Sequence, residues 1–168
     1  GYLHDTMNIM HRDIKMENIF IGKKNDRVKL GDLGSACLMS SFDKGPMKPA
    51  GTPLYLAPEL FDCATWRESG YVDRVDVFAL GITMCEIYTM TPPYSDVIEN
   101  FTRVQDLYDA VSEGLRPTTS GMPTVMVDLC RQCWAFFPGE RPPAGELIAR
   151  LQDLKSMAEW ASIRLQGV

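Results

Sequence analysis

The longest apolar stretch of the chain runs Val75-Asp76-Val77-Phe78-Ala79-Leu80-Gly81-Ile82-Thr83-Met84-Cys85-Glu86-Ile87-Tyr88, and it is hydrophobic nearly all round at helical length. A helix of that kind belongs in the middle of a domain. Pro92-Pro93-Tyr94 ends it, because proline cannot continue a helix. Beyond it, helical patterns are predicted near 101–113, 124–134 and 144–157, separated by Gly and Pro. In the last, Leu147, Leu151, Leu154, Ala158, Ala161 and Leu165 recur at intervals of four and three, an amphipathic stripe for packing on the domain. Upstream, Ile19–Ile21 and Val28–Leu30 are short apolar runs around the polar cluster Gly22-Lys23-Lys24-Asn25-Asp26, which predicts a hairpin, with a buried-strand pattern over Ile19–Ile21. Residues 1–10 read as a helix tail entering a turn, with Asp5 and Asn8 as breakers. Residues 35–50 (Ser40, Ser41, Gly45, Pro46 and Pro49 among them) show no sustained period and read as loop, and 62–72 as a polar connection. The expected class is mainly α with a small antiparallel β hairpin, without internal repeats.

Polar groups break this pattern most conspicuously at His11-Arg12-Asp13-Ile14-Lys15-Met16-Glu17-Asn18, directly before the first strand. A short polar loop anchored to a strand is suited to a reaction centre, because the scaffold holds each group in place. A lone Asp on a loop is usually an Asx-turn residue. Lys15 and Asn18 at fixed offsets from Asp13 weigh against that: one supplies a point charge, the other a neutral oxygen for a hard cation. Asp32-Leu33-Gly34 follows the second strand and, taken alone, is an ordinary turn. His4 has no second ligand at suitable spacing and reads as a packed, hydrogen-bonded histidine. Cys130 and Cys133 form a Cys-x-x-Cys pair inside a helical pattern, with no second pair to complete a zinc site.

The order and spacing of these motifs resemble the large lobe of eukaryotic protein kinase catalytic domains. Gly51-Thr52-Pro53-Leu54-Tyr55-Leu56-Ala57-Pro58-Glu59 resembles that family's substrate-docking loop, and the 75–88 helix resembles its central helix. The resemblance implies that Asp13 accepts the substrate hydroxyl proton and Lys15 faces the transferred phosphoryl group. It implies Asn18 and Asp32 as Mg2+ ligands, Phe20 as part of the floor under the adenine of ATP, and Thr52 hydrogen-bonded toward Asp13 and Lys15. Asp76 is then expected to hold the catalytic loop, and Glu59 to pair with Arg141. Leu33 stands where the family has Phe; it is expected to pack inward, leaving metal binding at Asp32 intact. The lysine two residues after Asp13 is similar to serine/threonine kinases, and Cys133-Trp134 before Pro138 and Arg141-Pro142 is similar to the tyrosine-kinase-like group.

On that resemblance the whole of 1–168 is expected to be a partial protein kinase domain, with a core over about 1–157 and a helical extension over 158–168. The Gly-rich phosphate loop, the strand lysine and the helix glutamate of the small lobe fall outside these residues. The implied function is ATP-dependent phosphorylation of a protein Ser/Thr hydroxyl, with ATP and the protein substrate as partners. The alternative is a non-catalytic kinase-like scaffold, for which retention of Asp13, Lys15, Asn18 and Asp32 has no physical need. Arg12 beside the reaction centre is expected to pair with a phosphate on Ser40 or Ser41, assisted by Lys44 or Lys48.

Composition narrows this further. At 168 residues and 45% hydrophobic, the chain can bury a sizeable core. A net charge of −5 gives no reason to expect nucleic acid or anionic membrane as the main partner. Five cysteines, an odd count without a secretory leader, fit a reducing compartment, so a cytoplasmic (intracellular) location is expected. No apolar run reaches the length of a membrane span. Gly1-Tyr2-Leu3-His4 reads as a helix already under way, so the chain is expected to be a piece of something longer and, alone, to show negligible kinase activity. Substrate identity, regulatory domains and oligomeric state are not legible in it.

Overall fold

The computed structural model describes residues 1–22, 27–44, 49–61 and 71–166, with side chains at 42–44 and 157–166 outside the description. After a four-residue helix α1 (Tyr2–Asp5), two small sheets and a series of 3-10 turns lead into α2 (Arg74–Thr89), which forms the middle of the fold. Val75, Val77, Phe78, Ala79, Ile82, Met84 and Cys85 of α2 are all buried, as an all-round apolar helix requires. Met90 closes the helix in the left-handed region at φ 52°. Across from α2 lies α4 (Thr124–Cys133), whose Leu129, Cys130 and Cys133 are buried in the same core. The two helices meet at Gly81, where a Cβ would lie 2.7 Å from the Cys133 Cβ. Only glycine permits that approach.

Helix α3 (Val104–Ser112) buries Leu107, Tyr108 and Val111, and the Tyr108 ring stacks on Phe61 with centroids 3.5 Å apart. Helix α5 (Ala144–Gln166) buries Leu147 and half-buries Leu151 and Leu154. Ala158, Ala161 and Leu165 of the expected stripe lie outside the described side chains. Cys37, Cys85, Cys130 and Cys133 are free thiols. Burial pushes Cys130 and Cys133 up to about 12, so neither is a reactive thiolate.

The hairpin pairs β2 (Ile19–Ile21) with β3 (Val28–Leu30) antiparallel, in register Ile19 to Leu30 and Ile21 to Val28. The burial expected of Ile19–Ile21 is wrong at two positions, Phe20 being 56% and Ile21 73% exposed; in the facing strand Val28 and Leu30 are exposed as well. Apolar runs bounded by turn residues specify a strand, and nothing in them specifies which face a neighbour covers. The turn between the strands, 23–26, lies outside the described residues. A second sheet was not expected at all: β1 (Ile9–Met10) pairs antiparallel with β4 (Cys37–Leu38), and Met39 N–H donates to Asn8 O at 2.9 Å. This pairing ties the start of the 35–50 segment back beside the catalytic-loop motif. The remainder of that segment begins as a 3-10 stretch, Met39–Lys44, and 62–70 of the polar connection lies outside the described residues.

Glu59 and Arg141, far apart in sequence, form a bidentate pair with Nη1–Oε1 at 2.5 Å and Nη2–Oε2 at 2.8 Å. Both are buried, and Arg141 spends its other donors on the carbonyls of Ala135, Arg74 and Phe136. The guanidinium also lies 5.0 Å from the Phe78 ring. This clamp joins the end of the 51–59 loop to α2 and to the segment before α5.

Candidate active site

The loop 11–18 is shaped by a carboxylate from the core. Asp76, in the first turn of α2 and 1% exposed, accepts His11 N–H at Oδ2 (2.8 Å) and Arg12 N–H at Oδ1 (2.7 Å). His4 Nε2 lies 2.7 Å from the same Oδ2. Holding two consecutive amides on one carboxylate keeps Arg12 in the left-handed region at φ 65°, where non-glycine residues are uncommon. Arg12 Nε in turn donates to Ser35 O at 2.5 Å. His11 is fully buried, with Nε2 2.9 Å from Gly31 O and Nδ1 3.3 Å from Asp13 N. Since a backbone N–H donates and a carbonyl accepts, this assigns the proton to Nε2 and the acceptor role to Nδ1.

The structure brings Asp13, Lys15, Asn18 and Thr52 into one cluster. Asp13 Oδ1 accepts from Thr52 N–H (2.9 Å) and the Thr52 hydroxyl (2.7 Å). Asp13 Oδ2 accepts from Asn18 Nδ2 at 3.1 Å and faces Lys15 Nζ at 3.1 Å. Lys15 Nζ also donates to Thr52 Oγ1 at 2.6 Å. Burial raises the Asp13 carboxyl, but the Thr52 and Lys15 hydrogen bonds, the Lys15 charge and Asn18 together outweigh it and hold Asp13 below the usual carboxylate range. The docking loop reaches this cluster through Gly51, at φ 110°, where a Cβ would sit 2.1 Å from Arg12 O. Glycine is therefore required for Thr52 to arrive at Asp13.

Asn18 donates from Nδ2 to Asp13 O (2.8 Å) as well as to Oδ2, which leaves its Oδ1 as the atom for a cation. Asp32 is exposed and left-handed (φ 58°), with Oδ1 accepting Gly34 N–H at 3.1 Å at the head of a 3-10 turn. A carboxamide oxygen and a carboxylate are both hard donors of the kind Mg2+ takes, a few protein oxygens with several waters kept. Asp32 and Phe20 stand outside the hydrogen-bonded cluster. The Phe20 ring covers Gly31, where a Cβ would lie 2.5 Å from it. Leu33, expected to pack inward, is instead 58% exposed. The turn that starts from left-handed Asp32 places it at an open apolar hollow of about 350 Å³, with Leu3, Ile9, Ala36, Cys37 and Leu38.

Sequence reasoning passed over Tyr55 and Glu86. The Tyr55 hydroxyl donates to Glu86 Oε2 at 2.8 Å, joining the docking loop to α2. Burial pushes the Glu86 carboxyl up, with the Glu17 charge adding to it, while the hydrogen bonds from Tyr55 and the Met16 backbone oppose. The available signal was a glutamate inside an otherwise apolar helix. Among the described residues no helix is long and apolar enough to cross a membrane, and no group of three or more His, Cys, Asp or Glu residues is placed to hold a metal.

A family profile described as protein kinase domain matches residues 1–151. The chain is 34% identical over 162 residues to a Raf homolog serine/threonine-protein kinase of Caenorhabditis elegans, across 92% of this chain and 19% of that protein. It is 32% identical over 159 residues to a dual serine/threonine and tyrosine protein kinase of Strongylocentrotus purpuratus, across 94% of this chain and 16% of that protein. With the serine/threonine-protein kinase WNK of C. elegans it shares 34% identity over 153 residues, 89% of this chain and 7% of that protein. The chain thus spans between 7% and 19% of the length of these relatives.

Proposed function

The chain belongs to the protein kinase family, and from that premise we propose that it is the catalytic lobe of a protein serine/threonine kinase, moving the γ-phosphoryl group of ATP to a protein Ser/Thr hydroxyl. The observation that carries the reading is the joining of Asp13, Lys15, Asn18 and Thr52 in one hydrogen-bonded cluster on a loop anchored by Asp76. A lobe kept only as a scaffold has no need of all four.

In this reading Asp13 is the base that orients and deprotonates the acceptor hydroxyl. An ionised carboxylate has about four lone-pair sites, and here Thr52 N–H, the Thr52 hydroxyl, Asn18 and Lys15 fill them. An incoming hydroxyl must displace one of these. Lys15 is the group that moves: it is on a flexible stem, and a phosphoryl group offers its charge a better partner. Thr52 remains and fixes the carboxylate. Asn18 Oδ1 and Asp32 would hold magnesium, which supplies charge neutralisation at the phosphates when bound. Phe20 would lie under the adenine. The kinase domain takes in the whole chain, with the core ending near 157 and α5 extending beyond it. An intracellular setting suits the free thiols of Cys37, Cys85, Cys130 and Cys133 among the described residues.

The test joins the chain to the small lobe of a related kinase and supplies labelled ATP, magnesium and peptides with a single Ser, Thr or Tyr acceptor. Label on the Ser and Thr peptides is expected. Label on Tyr alone, or no label on any peptide while ATP is bound, overturns the reading.

A further inference from the structure

Helices α4 and α5 leave a hollow of about 260 Å³ between them, and no residue of the Asp13 cluster lines it. Val125, Asp128, Leu129 and Gln132 face it from α4, at intervals of three, one and three that mark one side of a helix. From α5 come Arg150, Asp153 and Leu154, spaced in the same way. The floor is apolar, with Leu129 buried and Leu154 half-buried. Val125 is 51% exposed, so this apolar surface continues out to solvent. Arg150 ties the two helices together, donating to Gln132 Oε1 on α4 and to Glu146 Oε1 on α5. Just outside, Arg131 lies 3.4 Å from Asp128 Oδ1. Each cation at the groove therefore has an acid of its own. Asp153 is exposed and, among the described residues, has neither an ion-pair partner nor a hydrogen bond.

We infer that this groove docks an amphipathic helix of a partner protein, with an apolar side chain seated over Leu129 and Leu154 and a neighbouring Lys or Arg meeting Asp153. Size, shape and charge select that occupant. Small-molecule pockets hold about 300–1,000 Å³, and this hollow falls short of that range while leaving room for the side chains of another chain. Two helices side by side present a trough into which the apolar face of a third can lay its anchors. The one unmatched charge at the rim is acidic and the whole chain carries −5, so a basic partner is drawn both at the contact and at a distance. An acyl chain would leave Asp153 without a role, and a second copy of this chain would bring another −5 to the interface. The groove uses none of the groups assigned to phosphoryl transfer, so it and the kinase reading stand or fall separately.

A titration of the full 168-residue chain, followed by the NMR signals of its methyl groups, tests this. The probe is a synthetic helical peptide of Leu, Ala and Lys, with Leu at i, i+3, i+4 and i+7 and Lys on either flank of that stripe. Its control carries Glu in place of each Lys. The expected result is a saturable shift of the Val125, Leu129 and Leu154 methyl signals by the Lys peptide. Val125→Asp should weaken binding by about 10- to 100-fold, the worth of burying a valine. Asp153→Lys should weaken it by roughly 3- to 10-fold, and less as salt is raised. The Glu peptide should bind the parent chain more weakly than the Lys peptide does. Both substituted side chains are at the surface, and circular dichroism checks that the variants fold; if Val125→Asp does not, Asp153→Lys and the Glu peptide decide the matter. Absence of a saturable shift up to about 1 mM peptide, shifts confined to other methyl groups, or equal binding of the Lys and Glu peptides overturns the inference. So does a dimer in sedimentation that Val125→Asp dissociates, or saturation of the groove by a fatty acid where the Lys peptide has no effect.

Discussion

Removing the Arg141 side chain is the perturbation whose size the structure sets most directly. In Arg141→Ala, Glu59 keeps its place, 5% exposed, with no counter-charge, and the carbonyls of Ala135, Arg74 and Phe136 each lose a donor. The ring of Phe78 loses the nearer of its two guanidinium neighbours, at 5.0 Å against 5.2 Å for Arg116. Breaking a buried pair by deleting one partner costs about 3–5 kcal/mol, because the other charge stays buried and unpaired. At about 2–4 °C per kcal/mol for a chain of this size, the melting temperature should fall by roughly 6–20 °C. Glu59→Gln should cost less, since a neutral amide leaves a satisfied arginine with one good acceptor rather than an isolated carboxylate. Thermal unfolding followed by circular dichroism, together with urea unfolding, measures both variants. A loss under about 0.5 kcal/mol for Arg141→Ala, the size of an ordinary surface change, would refute the reasoning.

Three further outcomes follow from single contacts. Gly51→Ala should both destabilise the chain and detach Thr52 from Asp13, because it combines φ 110° with a Cβ 2.1 Å from Arg12 O; unchanged melting and an unchanged Thr52 amide shift would contradict this. Tyr94→Phe should leave stability equal or raise it by up to about 1–3 kcal/mol, since the buried hydroxyl has no partner to lose; a clear loss in urea unfolding would show a partner exists. Glu86 has a folded-state carboxyl above its ordinary value, so the native state binds the proton more tightly and stability falls as pH rises through the Glu86 titration. Glu86→Gln, which keeps an acceptor for Tyr55, should therefore stabilise the chain at pH 7 and flatten stability against pH above the ordinary glutamate range; a pH profile parallel to wild type would count against it.

The central helix and the catalytic-loop cluster were legible because each is written in contiguous residues. An all-round apolar run predicted 75–88 and α2 spans Arg74–Thr89. Asp13, Lys15 and Asn18 lie within six residues of each other, and the chain itself fixes their proximity. Thr52 and Asp76 joined them only through the resemblance, since no local pattern relates position 13 to 52 or 76. What failed was anything decided by neighbours distant in sequence. The pattern over Ile19–Ile21 predicts a buried strand, although Phe20 and Ile21 are exposed. Leu33 is expected to pack inward on the strength of its apolarity, but it stands 58% exposed at an open hollow beside Leu3 and Leu38. The β1–β4 pairing was missed because two-residue strands carry no period. Glu86 was passed over inside the apolar helix because its partner Tyr55 sits 31 positions away; His4, expected to be packed and hydrogen-bonded, is so, on Asp76, 72 positions away.

The central claim is that Asp13 is the base of a phosphoryl-transfer site, and the rate of labelled phosphate transfer to a serine peptide by Asp13→Asn tests it most directly. The chain is joined to a kinase small lobe, and ATP affinity is measured alongside. Asparagine keeps the volume of the side chain and an acceptor for Thr52 while removing the charge and the basicity. General-base catalysis contributes roughly 10²–10⁴-fold, so the account predicts a loss of at least about 10²-fold in kcat with ATP binding largely retained. Transfer by Asp13→Asn at a rate near that of the parent would contradict it.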